Sequence, residues 1–532
     1  MLQSFLIILA MSSTAMAAGT AVNQEETLVI GEISIVTDNI FDLSDPKEDR
    51  ALYRLANRAH VTTREDVVRQ QLLFTSGGKF SQQALDESER ILRSNRYIQD
   101  VAITAVKGLD GTVNVDVQTS DVWTLMPKIT LSRSGGQNNT GIGIKEMNLL
   151  GTGIAVEMTY KSDVERDSRR LKFVDRNLGG SWYALRAYYS DNSDGAASLL
   201  AIEKPFYALT STTARGFVID NDDKVDSRYQ RGEIMGEYRH QKRYRELYIG
   251  SSAGLVNGWT RRLVFGVTSD RHRFSAVPKS KYGLSNIPEN RELQYPFVAY
   301  ELLQDKYEKS RNYDQISRNE DRFTGTRINA RLGFSSSIFA SDREALIVNL
   351  NAQTGFGHTD GNSLLLSTSI GTRWERGGAK NLLVDMHARF YRRQSEYRML
   401  FASLGATIGS DLDLDQQIWL GGDNGLRGYP IRYQNGDRRV LLTLEQRFFT
   451  DWYPFRLFRI GAAVFFDAGR AWSSNKAANE SNRILRDVGF GLRIGSTRSG
   501  LGRMTHIDVA FPLDGDNTIK DVQFLIQTRK SF

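Results

Sequence analysis

The chain has 532 residues, 69 Lys+Arg against 62 Asp+Glu for a formal net charge of +7, and no cysteine. That length suits two or three domains, and the lack of cysteine excludes a disulfide framework, cysteine-ligated zinc and a lipid-modified cysteine. No apolar run of about 18 residues follows the N-terminal segment, so no transmembrane helix is predicted. The mean hydropathy of −0.40 still admits a membrane β-barrel, in which only every second residue meets lipid.

Phe5 to Met11 is apolar and is followed by Ala15-Met16-Ala17, a small-x-small pattern. This predicts a secretory signal peptide over 1–17, cut after Ala17. Residues 25–122 then predict a small α+β domain. Leu28 to Val36 has strand composition. Asp45-Pro46-Lys47-Glu48 reads as a helix start, with Leu52, Leu55, Ala56 and Ala59 on one face. Thr63 is placed as the cap of a second helix and Ser81 as the cap of a third, which carries Leu85, Ser88 and Leu92. Val101–Val106 and Thr112–Thr119 close the unit as a hairpin. From Ala18 to Val122 there are 11 Lys+Arg and 17 Asp+Glu, a net of −6, whereas the rest carries 58 and 45, a net of +13. This fits a solvated acidic domain beside a barrel with basic loops, or a basic lumen or rim that meets anions such as lipid phosphates.

The stretch Gly77-Gly78-Lys79-Phe80, the segment Ala84 to Ile103 and the closing hairpin resemble a POTRA domain, the periplasmic module of outer-membrane assembly and secretion barrels. The resemblance implies one such domain, binding an extended client by strand addition at its sheet edge. Val101, Ile103, Val113, Val115 and Val117 are the candidate client-binding hairpin. The alternative is a domain that only spaces or orients the barrel.

From about Leu125 the period becomes two. Leu382, Val384, Met386, Ala388 and Phe390 alternate with Asp385, His387 and Arg389, and Val488, Phe490, Leu492 and Ile494 alternate with Gly489, Gly491 and Arg493. Such segments predict transmembrane strands, and only a closed barrel satisfies every backbone group in hydrocarbon. At about 25 residues per strand and connection, residues 123–532 predict an all-β barrel of about 16 antiparallel strands. Ser269–Leu293 and Glu308–Thr326 are placed as long extracellular loops. The final strand ends on Phe532, which resembles the assembly signal of outer-membrane barrels.

Residues 421–430 read Gly-Gly-Asp-Asn-Gly-Leu-Arg-Gly-Tyr-Pro. Leu426, Arg427, Gly428 and Tyr429 resemble the Arg-Gly-aromatic motif of the BamA/TamA-type outer-membrane superfamily, the bacterial surface antigens. Asn148–Gly153, the stretch around Glu445, and Phe465–Trp472 resemble further motifs of that family. The resemblance implies a loop folded back into the lumen. Strand phase independently points Glu445, Phe465 and Asp467 inward, because Val440, Leu442, Leu444, Val464, Phe466 and Ala468 take the lipid phase. Arg427 is therefore expected to fork onto Asp467, Glu445 or both, with its plane against Phe465. That contact is either a clamp that tunes opening or a structural pin.

Gly250-Ser251-Ser252-Ala253-Gly254 matches G-x-S-x-G, but strand-like residues flank it and no helix follows. The six histidines are scattered in sequence. No enzyme, cofactor, metal or nucleic acid is expected. The expected function is a barrel in the bacterial outer membrane, its first domain in the periplasm, that inserts or translocates an extended or unfolded protein client. Outer-membrane lipid, lipopolysaccharide and a periplasmic or inner-membrane protein are the other expected partners. The alternative is a passive pore or a lipid- or lipopolysaccharide-handling barrel.

Overall fold

The structure is a computed structural model that describes residues 28–529 except 109–110, 279, 284–285, 475–482, 501–503, 516 and 518. The predicted signal peptide and the Phe532 assembly signal lie outside the described residues. The first unit is a three-stranded sheet in which Thr112–Asp121 is central, parallel to Val29–Asp38 and antiparallel to Ile98–Lys107. Helices Ala51–Ala59, Glu65–Arg69 and Gln82–Arg93 accompany it. Ile30, Val68, Leu85, Leu92, Val115 and Val117 form its core. Alternation along Thr112–Asp121 drives this: each valine is buried, and each residue between Val113 and Val117 is exposed.

Two local expectations are corrected. The first helix starts at Ala51, because Asp45–Glu48 closes a turn in which the Glu48 amide donates to the Asp45 carbonyl (2.8 Å). Its buried residue is Tyr53, stacked on Phe41 with ring centroids 4.3 Å apart, while Leu52 and Leu55 are exposed. Thr63 does not cap the second helix. Its amide and hydroxyl both donate to the buried Asp121 carboxylate, at 2.7 and 2.8 Å. Ser81 does cap the third helix, accepting from the Ala84 amide (3.4 Å).

The second unit is a closed barrel of 20 strands, not about 16. The expectation allotted each strand too much chain. Turns such as 135–136 and 193–194 are two residues long, and strands 126–134 to 195–204 are only 8 to 10 residues long. Every barrel neighbour is antiparallel, and register is continuous around most of the wall. Leu332, Phe334, Leu404, Val488, Phe490 and Leu492 face outward and are exposed, as the two-residue period requires.

The N-terminal domain sits against one end of the barrel, the near end. Asn148 Nδ2 donates to Thr63 Oγ1 (2.8 Å), the Leu209 amide to Glu87 (2.7 Å), and Tyr53 to the Phe455 carbonyl (2.7 Å). Burial pushes the Glu87 carboxyl up, against the pull of the Leu209 N–H. Residues 305–326 also connect strands at this near end, so they are not one of the long loops of the opposite end. The described residues of the connection from Ala276 to Arg291 do lie at the distal end.

An arginine held in the barrel lumen

The connection 411–437 starts at the distal end and folds into the lumen. Gly421, Gly422 and Gly428 leave room for this descent. A Cβ on Gly428 would lie 2.7 Å from Asp487 Cβ, and one on Gly422 would lie 2.3 Å from the Tyr429 carbonyl oxygen. The Gly428 amide donates to Asp487 Oδ2 (3.0 Å). Leu426 and Tyr429 are fully buried, in a cluster with Leu420, Tyr433, Ala471 and Leu485. The Tyr429 hydroxyl lies 2.7 Å from the Arg486 carbonyl.

Arg427 is thereby placed against the wall. Its Nε and Nη2 donate to Asp467 Oδ2 and Oδ1 at 2.6 and 2.9 Å. Its Nη1 donates to Glu445 Oε1 at 2.8 Å. The guanidinium carbon lies 3.4 Å from the centroid of Phe465. Arg427, Glu445, Phe465 and Asp467 thus meet in one buried site. A planar fork can satisfy two carboxylates and a ring face at once, which an ammonium cannot.

The site extends beyond those four residues. Arg447 Nε donates to the second oxygen of Glu445 (3.0 Å), and Arg493 pairs with Asp508. Asp467 stands directly opposite Asp487 in the neighbouring strand. Asp487 and Arg493 share the inward phase of the Val488–Ile494 alternation, so that phase carried their signal.

A hairpin, Tyr307–Arg311 paired with Asn319–Phe323, enters the lumen from the near end. Tyr313 at its tip packs on Tyr391, with ring centroids 4.1 Å apart, and the Arg322 guanidinium lies 3.6 Å from the Tyr313 centroid. Arg447 Nη1 donates to the Tyr313 carbonyl (3.3 Å). On its other side the hairpin meets the N-terminal domain. Arg93 donates to both oxygens of Asp321 (2.7 and 2.6 Å), and Lys309 pairs with Glu89 (2.7 Å).

The candidate client hairpin is differently disposed. Val101, Val113, Val115 and Val117 are buried in the core, and Ile103 packs on it. Both edges of Thr112–Asp121 are already paired, so that strand cannot accept another. The edge strand Ile98–Lys107 is covered at its start, where Arg318 bonds the Ile98 carbonyl (3.3 Å) and Arg93 the Val101 carbonyl (3.1 Å). Ala102 and Thr104–Lys107 are exposed. The G-x-S-x-G stretch lies inside the strand Glu233–Val256, away from any strand–elbow–helix turn.

No curated protein matches the sequence. Among solved structures, the chain is similar to CdiB from Escherichia coli (12% identity, 94% of this chain and 76% of that one, TM-score 0.48). It is similar to CdiB from Acinetobacter baumannii (11%, 94% and 74%, TM-score 0.43). It is also similar to BamA from Haemophilus ducreyi lacking POTRA domains 1–3 (13%, 94% and 84%, TM-score 0.39). The Omp85 superfamily domain matches residues 148–532, which hold nearly all of the barrel and the whole Arg427 site, and the chain belongs to that superfamily of outer-membrane β-barrels.

Proposed function

We propose that this barrel inserts protein clients into the outer membrane or passes them across it, with the N-terminal domain, a POTRA-type unit, on the periplasmic side. The observation that carries the reading is the seam. Among the described residues, the first and last barrel strands, Met126–Ser134 and Gln523–Arg529, are joined in register only at Ile526 and Arg133. Every other neighbouring pair in the wall shares at least seven positions. A wall with one short join opens there at the lowest cost in hydrogen bonds, and its strand edges are then free to template a client strand. The exposed part of Ile98–Lys107 offers a second edge, where an extended client adds by backbone pairing regardless of its sequence.

The test is photocrosslinking in intact cells from a probe at Ala105, with Val115 as the buried control. Trapped outer-membrane or secreted precursors at Ala105 alone support the reading. Their absence, together with solute conductance that persists after deletion of residues 25–122, would favour a passive pore.

A further inference from the structure

At the distal end, two histidines 32 residues apart in sequence meet ring to ring. His240 belongs to the strand Glu233–Val256 and His272 to the neighbouring Trp259–Ala276. His240 is in register with Phe274 and His272 with Lys242, so the two rings are diagonal neighbours on one face. His240 Nε2 lies 2.8 Å from His272 Nδ1. The outer nitrogens each face a carboxylate: His240 Nδ1 is 2.8 Å from Asp226 Oδ2, and His272 Nε2 is 3.1 Å from Asp270 Oδ1. An ionised carboxylate only accepts, so the hydrogen bond to Asp226 places a proton on His240 Nδ1 and leaves the Nε2 lone pair of a neutral ring facing His272. An N–H of His272 Nδ1 bridges the two nitrogens at that separation, and a metal ion can take the place of its proton.

A third donor completes the set. Asp415, at the base of the lumen loop, brings a carboxylate oxygen within 4.8 Å of a ring nitrogen of each histidine. Arg291 bonds both of its oxygens (2.8 and 2.7 Å), which leaves the carboxylate's remaining lone pairs available. The His240 ring also stacks on Phe274, with centroids 4.5 Å apart, which fixes its plane.

We propose that His240, His272 and Asp415 form a zinc-type divalent metal site that fastens the base of the lumen loop to the barrel wall. Two imidazoles and one carboxylate suit Zn²⁺ rather than Ca²⁺ or Mg²⁺. Asp226 already stands where a metal site needs a carboxylate to orient a histidine and strengthen it as a donor, and the Asp270 charge lies 3.1 Å from the other ring. At metal–ligand distances of about 2.0–2.1 Å, tetrahedral ligands lie about 3.4 Å apart. The histidines therefore part slightly, and Asp415 closes by at most about 1.4 Å, when the ion enters.

The test uses the full chain in detergent micelles, without a polyhistidine tag, stripped with chelator and titrated with Zn²⁺ by calorimetry. The wild type is expected to bind one ion saturably. His240→Asn and His272→Gln should each weaken binding by at least ~100-fold, and Asp226→Asn by ~10–100-fold. Retention of the compact, heat-modifiable gel band shows which variants are folded. A measurement that needs no variant is the electron paramagnetic resonance spectrum of the Cu²⁺-loaded wild type, which should show coupling to two nitrogens. No saturable Zn²⁺ binding, folded histidine variants that bind like wild type, or a Cu²⁺ spectrum without two coupled nitrogens would each overturn the site.

Discussion

Arg427 and Asp467 face each other as a two-pronged ion pair, Nε to Oδ2 and Nη2 to Oδ1, across 40 positions of sequence. The same guanidinium also holds Glu445. Arg427→Ala would strand the fully buried Asp467 carboxylate and leave Glu445 with Arg447 alone as its hydrogen-bonded arginine, and should cost about 3–5 kcal/mol. Arg427→Lys keeps the charge but loses the fork and the plane over Phe465, and should cost less. Denaturant unfolding in detergent orders the three proteins. Equal midpoints for wild type and the Ala variant would remove the clamp. A charge exchange between Arg427 and Asp467 should rescue only in part, since the new carboxylate at 427 would face Glu445.

Gly428→Ala is expected to push the loop off the wall. The added methyl meets backbone-anchored atoms, Asp487 Cβ at 2.7 Å and Pro512 N at 3.1 Å, with no flexible side-chain end to yield. The expected result is faster proteolysis within 411–437. Gly361→Ala, where nothing lies within 4 Å of the new Cβ, should digest like wild type.

Much of this site was legible because strand phase is binary. Val440, Leu442 and Leu444 facing lipid leaves Glu445 facing in, and the same rule places Phe465 and Asp467. What phase cannot supply is depth and partner. Asp487 and Arg493 had the right phase, but nothing in sequence says that Gly428 descends beside Asp487. The His240–His272 pair depends on the register between two long strands, which no local pattern fixes. The hairpin 307–323 read as an extracellular loop because its polarity is the same whether it faces water or a hydrated lumen. Strand number failed for a related reason: alternation marks a strand but not how short its turns are.

The hairpin 307–323 should act as a plug. It touches Tyr391 of the lumen wall through Tyr313 and Arg322 and the N-terminal domain through Asp321 and Lys309. Joining Asp305 to Gly325 by a short Gly-Ser link is expected to raise single-channel conductance in planar bilayers. Arg93→Ala, which removes the bond to Asp321, should raise the frequency of open events and leave the open conductance unchanged. Conductance equal to wild type after the deletion would show that the hairpin blocks nothing.

Glu320, in that hairpin, predicts a pH dependence. Burial, with Asp314 nearby, raises its carboxyl to about 7 from an ordinary 4.5, although the Tyr313 and Gln315 amides pull it back down. A carboxyl that holds its proton more tightly when folded contributes stability below about pH 4.5 that is lost as pH rises through about 7. Hydrogen exchange at 307–323 should therefore be slowest in acid, once corrected for intrinsic rates, and accelerate across that window. Glu320→Gln should flatten the profile.

The seam is the most direct place to test the proposed mechanism, and the chain is prepared for it by having no cysteine of its own. Directly paired antiparallel residues have Cα atoms about 4.5–5.5 Å apart, within disulfide range. Ile526→Cys with Arg133→Cys should therefore cross-link the first strand to the last under oxidation. If clients leave or template through this join, the oxidised protein loses client assembly and recovers it on reduction. The same bridge at Leu131 and Thr140, paired inside the wall, should have no effect in either state. Full activity with the seam locked would move the client path to the lumen. The Arg427 loop and the hairpin 307–323 would then have to move instead, which makes their variants the deciding experiment.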